Sequence, residues 1–279
     1  MLYLILAIVS STFITVLMRL SEGKSKNDIS LLSMNYLSCT VLSFLFMESK
    51  VIFPETSGLS TVLLLGGIGG ILFPASFFLL KWNVKMNGVT LPATFMKLGV
   101  LVPTLLAAVI FREKMHLTTL FGILLAFFAI MLLKEKSAEK AKNTAGLLLL
   151  LAGGGMADAM SKIFEETSPK ALSDHFLFYI FFIAFAVCVL MAILKKQKYG
   201  LPDVLFGLLI GVPNYFSSRF LLLSLSDIPA VIAYPTFSAG TIVLVALLGK
   251  MLFKETFTRK KLIALTLILI ALALLNLPA

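Results

Sequence analysis

The sequence predicts an all-α integral membrane protein of ten transmembrane helices, built as a 5+5 inverted-topology repeat. Three observations predict it. Of 279 residues, 59% are hydrophobic and only 14% charged, against roughly half and about a quarter in soluble domains. The apolar residues fall into blocks of about 17 to 23, the length that carries a helix across a ~30 Å hydrocarbon core. Finally, the two halves of the chain match each other at a nearly constant shift.

The blocks run 2–20, 30–47, 61–84, 89–111, 117–133, 145–164, 175–194, 203–224, 229–249 and 260–277. The first, "MLYLILAIVSSTFITVLM", has no basic leader and no small-residue cleavage site, so it reads as a retained span. The third carries "GGIGG" (66–70) and the sixth "GGG" (153–155), which let helices approach closely. Prolines mark the third (Pro74), fourth (Pro92, Pro103), eighth (Pro213) and ninth spans (Pro229, Pro235). Each removes a backbone donor, which membrane helices tolerate beside neighbours or water-lined cavities. These four spans are the expected lining of a pathway. The longest polar connection, "KEKSAEKAKNT" (134–144), divides the blocks five and five. The expected division is therefore a first five-helix repeat at 1–136 and a second at 137–279, forming one structural unit.

The net charge of +10 does not point to nucleic acid, because most Lys and Arg sit in short loops, where basic residues set topology. Cys39 and Cys188 lie inside apolar blocks, so neither a metal site nor a disulfide framework is expected, and no cofactor is implied. The first, third, fifth, seventh and ninth loops hold roughly three times the Lys and Arg of the others, which makes that side cytoplasmic and the termini external.

The repeat is carried by scarce residues. At a shift of 143, Arg19 falls on Lys162, Glu22 on Glu165 and Tyr36 on Tyr179. At a shift of 142, Gly69 falls on Gly211, Phe78-Leu79 on Phe220-Leu221, Thr94-Phe95 on Thr236-Phe237, Phe111 on Phe253 and Glu113 on Glu255. An odd number of spans per half sends the second copy into the bilayer from the opposite side. Inverted repeats are a common architecture of secondary transporters, with substrate near the midplane and alternating access by rocking of the halves.

"FREK" (111–114) after the fourth span and "FKET" (253–256) after the ninth, within ten spans of this length, resemble the drug/metabolite transporter superfamily, EamA-type. The resemblance covers essentially the whole chain. It implies a proton-coupled, exchange or facilitated carrier of small metabolites, amino acids or drugs in the plasma or inner membrane, with both termini usually cytoplasmic. Glu113 and Glu255 are the Glu that this family carries after the fourth span of each half. The second copy departs from the pattern in having Ala264 opposite Gly122.

Ionisable groups within spans are functional candidates by default. Lys97 lies about eight residues, roughly 12 Å, into the fourth span, and Arg219 about seven residues, roughly 10 Å, from the far end of the eighth. Neither belongs to the repeat: Lys97 aligns with Ala239 and Arg219 with Phe77. An ammonium and a guanidinium suit a carboxylate or phosphate. The alternative is permanent pairing of either cation with Asp158, the one acid well inside a span, which could also couple a proton or pair with Lys162 a turn away. Asn35, Tyr36, Tyr179, Asn214, Tyr215 and Tyr234 are further candidates for hydrogen-bonding a ligand, although Tyr near a helix end often anchors the interface. Lys81 and Lys85 read as interfacial snorkellers. Glu113 and Glu255 read as structural, each complementing the N-terminal end of the helix that follows.

The expected function is a secondary carrier of a small anionic or zwitterionic metabolite. The expected partners are that substrate, the bilayer, and a proton or counter-substrate, with the chain a monomer or homodimer. A channel or lipid flippase on the same frame is the alternative. An intramembrane enzyme fits poorly, since His116 and His175 stand at loop edges and no HExxH or GxSxG occurs.

Overall fold

The computed structural model describes residues 1–87, 90–132, 143–254 and 258–277. Its elements are α1 (Leu2–Ser21), α2 (Asp28–Phe46), α3 (Leu59–Asn87), α4 (Thr90–Leu98), α5 (Leu101–Val109), α6 (Leu117–Leu132), α7 (Thr144–Thr167), α8 (Ser173–Leu194), α9 (Leu201–Leu225), α10 (Ala230–Phe253) and α11 (Arg259–Leu275). With α4 and α5 counted as one broken span, the α-helices among the described residues number ten. Among the described residues, eight are long and apolar enough to cross a membrane, Leu91–Val109 included. α6 and α11 are shorter, at 16 and 17 residues.

Two compact units divide the chain: Ala75–Ala159 with Asp227–Ala279, and Leu2–Pro74 with Met160–Ser226. We call them the first and second unit. They cut across the sequence halves, each taking helices from both copies, with the divisions inside α3 and α7.

In the second unit, α2 begins where the side chain of Asn27 accepts from the N–H groups of Ile29 (3.1 Å) and Ser30 (3.3 Å), satisfying donors that have no partner within the helix. It ends where the Lys50 ammonium donates to the carbonyls of Phe44, Leu45 and Met47 at 2.6–2.9 Å. The α1–α2 loop is tied to the start of α9, since Asp203 accepts from Ser25 Oγ (2.7 Å), Lys26 N (2.9 Å) and Asn27 N (3.3 Å). The α2–α3 loop is tied to α8: His175 Nε2 meets the carbonyl of Val51 at 2.9 Å, and the Tyr179 hydroxyl donates to that of Ile52. α2 therefore starts at the end where α8 finishes, and the two run antiparallel.

Glycine permits close approach here. A Cβ on Gly66 would lie 2.6 Å from Cβ of Tyr179, one on Gly70 2.6 Å from Cβ of Ile183, and one on Gly211 2.4 Å from the carbonyl oxygen of Asn35. The third helix of one copy thus packs on the second helix of the other, and the reverse holds too.

In the first unit, α6 packs on α11. A Cβ on Gly122 would stand 3.1 Å from the backbone nitrogen of Leu275, so the beginning of one helix meets the end of the other. An asparagine set joins the end of α3 to the start of α7: Asn83 Nδ2 donates to the carbonyl of Gly146 (2.9 Å), and Asn87 Oδ1 accepts from Asn143 N (2.9 Å).

Candidate functional site

The fourth span is not continuous. Pro103 has no N–H to give the carbonyl of Gly99, which accepts instead from Val102 N at 2.9 Å. The ladder tightens, and α4 ends at Leu98 before α5 starts at Leu101. Thr104 steadies the joint, its hydroxyl donating to the carbonyl of Val100 at 2.8 Å. The joint presses on α7: a Cβ on Gly155 would fall 2.2 Å from the carbonyl oxygen of Gly99. Only glycine fits at 155, so the "GGG" run serves the close approach its composition suggests.

Lys97 is next to last in α4, and Asp158 lies three residues beyond Gly155 in α7. The crossing therefore brings two opposite charges near one another within the first unit. Each lies in reach of the other's charge. No direct ion pair joins them among the described residues. Both side chains keep exposed surface although protein atoms crowd them.

The exposure pattern of α7 indicates what Asp158 faces. Ala145, Leu148, Leu149, Ala152 and Met156 form an exposed apolar stripe at helical spacing, the kind of face that meets lipid. Asp158 is exposed roughly 140° around the helix from that stripe. The backbone at this point is held by α10, where the buried Tyr234 donates its hydroxyl to the carbonyl of Asp158 at 3.0 Å. Tyr234 thus fixes α7 rather than presenting a free hydroxyl.

Arg219 lies in the second unit and has a partner. It donates to Asp174, in the first turn of α8, at 2.7 Å and to the Tyr215 hydroxyl at 2.6 Å. Its guanidinium stands 5.5 Å from the ring centre of Phe46 and 5.9 Å from that of Tyr215. The acid beside Arg219 is thus Asp174, not Asp158, and Tyr215 serves the cation. Asp174 gives no signal of this pairing in the sequence, because it opens a block and lies 45 positions from its partner.

The remaining candidates are dispersed. Asn214 Nδ2 donates to Asn35 Oδ1 at 3.2 Å, and the Cys39 thiol lies 3.2 Å from the Gly211 carbonyl, making a small polar knot between α2 and α9. Tyr36 is buried. Tyr179, its repeat mate, is spent on the Ile52 carbonyl. Lys81 stands over Phe77 at 5.8 Å, and Lys85 is exposed. Lys162 is buried and pairs with Glu165 at 2.8 Å and with Glu166, not with Asp158. His175, assigned to a loop edge by sequence, is buried in α8, its Nδ1 without a partner.

Glu113 caps a helix, but a different one from that expected. Its carboxylate accepts from Ala230 N (3.0 Å) and Val231 N (2.9 Å) at the start of α10, not from α6, which follows it in sequence. Pro229 is the N-cap of α10 rather than an internal residue. Arg112 and Lys254, repeat mates at a shift of 142, both take the left-handed conformation (φ 53° each). That turn aims the following carboxylate in the first copy. Glu255 lies outside the described residues.

The small multidrug resistance protein family matches residues 174–268, from the first turn of α8 into α11. An "uncharacterized protein" of Haemophilus influenzae is 24% identical over 272 residues, covering 92% of this chain and 91% of its own. A solved crystal structure superimposes with a TM-score of 0.80 at 15% identity, covering 99% of this chain and 96% of the other, a likeness of fold. All-helical and multi-spanning among the described residues, and matched over residues 174–268 by a multidrug-resistance family, the chain is a multi-pass membrane transporter.

Proposed function

We propose that the protein is a secondary carrier of a small zwitterionic metabolite, working by alternating access, with Lys97 and Asp158 as the groups that receive it. One observation carries this reading. An ammonium and a carboxylate, both with exposed surface, lie beside a broken helix, within reach of each other's charge but not joined. A substrate with a carboxylate and an amine could bridge them, each end meeting its complement. Broken helices beside midplane sites recur in secondary transporters.

Arg219 stays with Asp174 in this scheme and holds α8 to α9. The antiparallel packing of α2 on α8 and of α6 on α11 supports an inverted repeat, since these are mates at shifts of 143 and 142. The polar knot at Asn35 and Asn214 is a second place where a pathway could find hydrogen-bond partners.

The test is uptake into proteoliposomes holding purified protein, with labelled zwitterionic amino acids and labelled monocarboxylates as probes. Saturable uptake of the zwitterions with counterflow is expected, lost on Lys97→Ala and on Asp158→Asn. Full activity in both variants sinks the site. Preference for monocarboxylates that survives Asp158→Asn returns the reading to a plain anion. Uptake without saturation or counterflow favours a channel.

A further inference from the structure

The second unit has two chemically different ends. At one, the α1–α2 loop and the α8–α9 loop are bound together: Asn27 Nδ2 donates to Gln197 Oε1 (2.6 Å) and to the carbonyl of Lys198 (3.3 Å), and Ser30 Oγ to that same carbonyl (3.3 Å). This end gathers Arg19, Lys24, Lys26, Lys195, Lys196 and Lys198, all exposed. Its acids are fewer. Asp203 is buried, its carboxylate turned inward onto Ser25, Lys26, Asn27 and Gly200, which leaves Glu22 and Asp28. At the other end Arg219 is held by Asp174, Lys162 by Glu165 and Glu166, and Lys50 by three carbonyls, while Lys170 is exposed. Glu48 and Glu55 are exposed there.

We infer that the basic end is a binding face for the phosphate headgroups of anionic lipids and lies in the cytoplasmic leaflet. Clusters of four to eight cations beside a span attract anionic lipid, each worth about 1 kcal/mol, or roughly fivefold, near the surface. The apolar rim fits a headgroup boundary. Leu20, Leu194, Tyr199 and Leu201 are all exposed beside the cations, and Lys24 rests over the Phe206 ring at 5.5 Å. Aromatic rings with a polar tip belong at that depth. The face is preformed, because Lys26 and Lys198 hold the two loops through their backbones while their ammonium groups stay free to reach outward. Tyr3 stacks on Phe220 (6.2 Å) and Ser217 donates to the carbonyl of Ala7 (3.3 Å), so α1 starts at the opposite end. That puts its first residues outside the cell.

Detergent-purified full-length protein should be titrated with short-chain phosphatidylglycerol, short-chain phosphatidylcholine and free glycerol phosphate, reading the unfolding temperature. Phosphatidylglycerol is expected to raise it, with an effect that shrinks between low and high salt, while the other two leave it unchanged. The combined variant Lys24→Gln, Lys26→Gln, Lys196→Asn and Lys198→Gln should need at least about a tenfold higher concentration. Asn suits position 196, whose φ is 48°. Arginine at the same four positions should restore the response, which separates lost charge from poor folding. An unaltered response in the neutralised variant, or equal effects of phosphatidylcholine or glycerol phosphate, overturns the lipid face. For sidedness, Lys198→Cys should resist a membrane-impermeant maleimide in intact cells and react once they are opened. Both native cysteines, Cys39 and Cys188, are buried and give little background. Labelling in intact cells overturns the assignment to the cytoplasmic leaflet.

Discussion

Lys97 and Arg219 are both cations set within spans, yet their surroundings differ. In the second unit, Arg219 is gripped by a carboxylate, a phenol and two aromatic faces. In the first unit, Lys97 faces Asp158 without a direct bond, at a joint where the helix itself is interrupted. A guanidinium with fixed partners is part of the frame. An ammonium with exposed surface and no direct bond to its nearby acid keeps its charge open to a ligand, and a charge within a membrane is costly. Such a cost is consistent with a ligand that completes the set.

The sharpest way to break this contrast is to remove each cation and compare transport with stability. Lys97→Ala is expected to lower proteoliposome uptake by about a hundredfold or more, of the order of a lost buried charge contact, while leaving the unfolding temperature almost unchanged. Arg219→Ala should do the opposite. It strands Asp174, and because the pair is 22% and 19% exposed the loss is about 2 kcal/mol, below the range for fully buried pairs. A double-mutant cycle with Asp174→Asn should recover a coupling above about 0.5 kcal/mol. If the two cations exchange these behaviours, the contrast is wrong.

Of similar size is the crossing that sets Lys97 in place. Gly155→Ala drives a methyl into the carbonyl oxygen of Gly99 and should cost about 1–3 kcal/mol by overpacking, with uptake falling alongside. Gly154→Ala is the control, since a Cβ there meets nothing within 4 Å, and chemical denaturation should show little change. The smallest expected effect is at the Glu113 cap. Glu113→Gln keeps the shape and loses the charge at the α10 N-terminus, about 1 kcal/mol, read as a melting shift of about 2–4 °C. A null result there would leave the left-handed turn at Arg112 without a purpose in the first copy.

The spans were legible because lipid demands long apolar runs, and hydropathy alone marks them. The expectation of a repeat rests on Tyr, Glu and Thr-Phe, which are scarce enough for their coincidences to mean something. The break in the fourth span could have been read as well: Pro103 stands four residues after Gly99, the spacing at which a missing N–H orphans that carbonyl. Side-chain partners were not legible. Asp174 for Arg219, Val51 for His175 and α10 for Glu113 are long-range pairings that depend on which helices become neighbours. Tyr234 illustrates the limit well. Its residue type suggested a ligand contact, and only the packing of α10 on α7 shows its hydroxyl already engaged by a carbonyl.

The bond from Glu113 to the start of α10 spans 117 positions. A ribosome adding about 5–20 residues per second makes the carboxylate roughly 6–23 seconds before the amides it receives. Until then Glu113 lacks the amides of Ala230 and Val231. When Ala230 emerges, its docking point already exists, and the last two helices can be guided to it as they leave the insertion machinery. Chain truncated before residue 230 should therefore lack the α10 amides that this carboxylate accepts from in the finished fold.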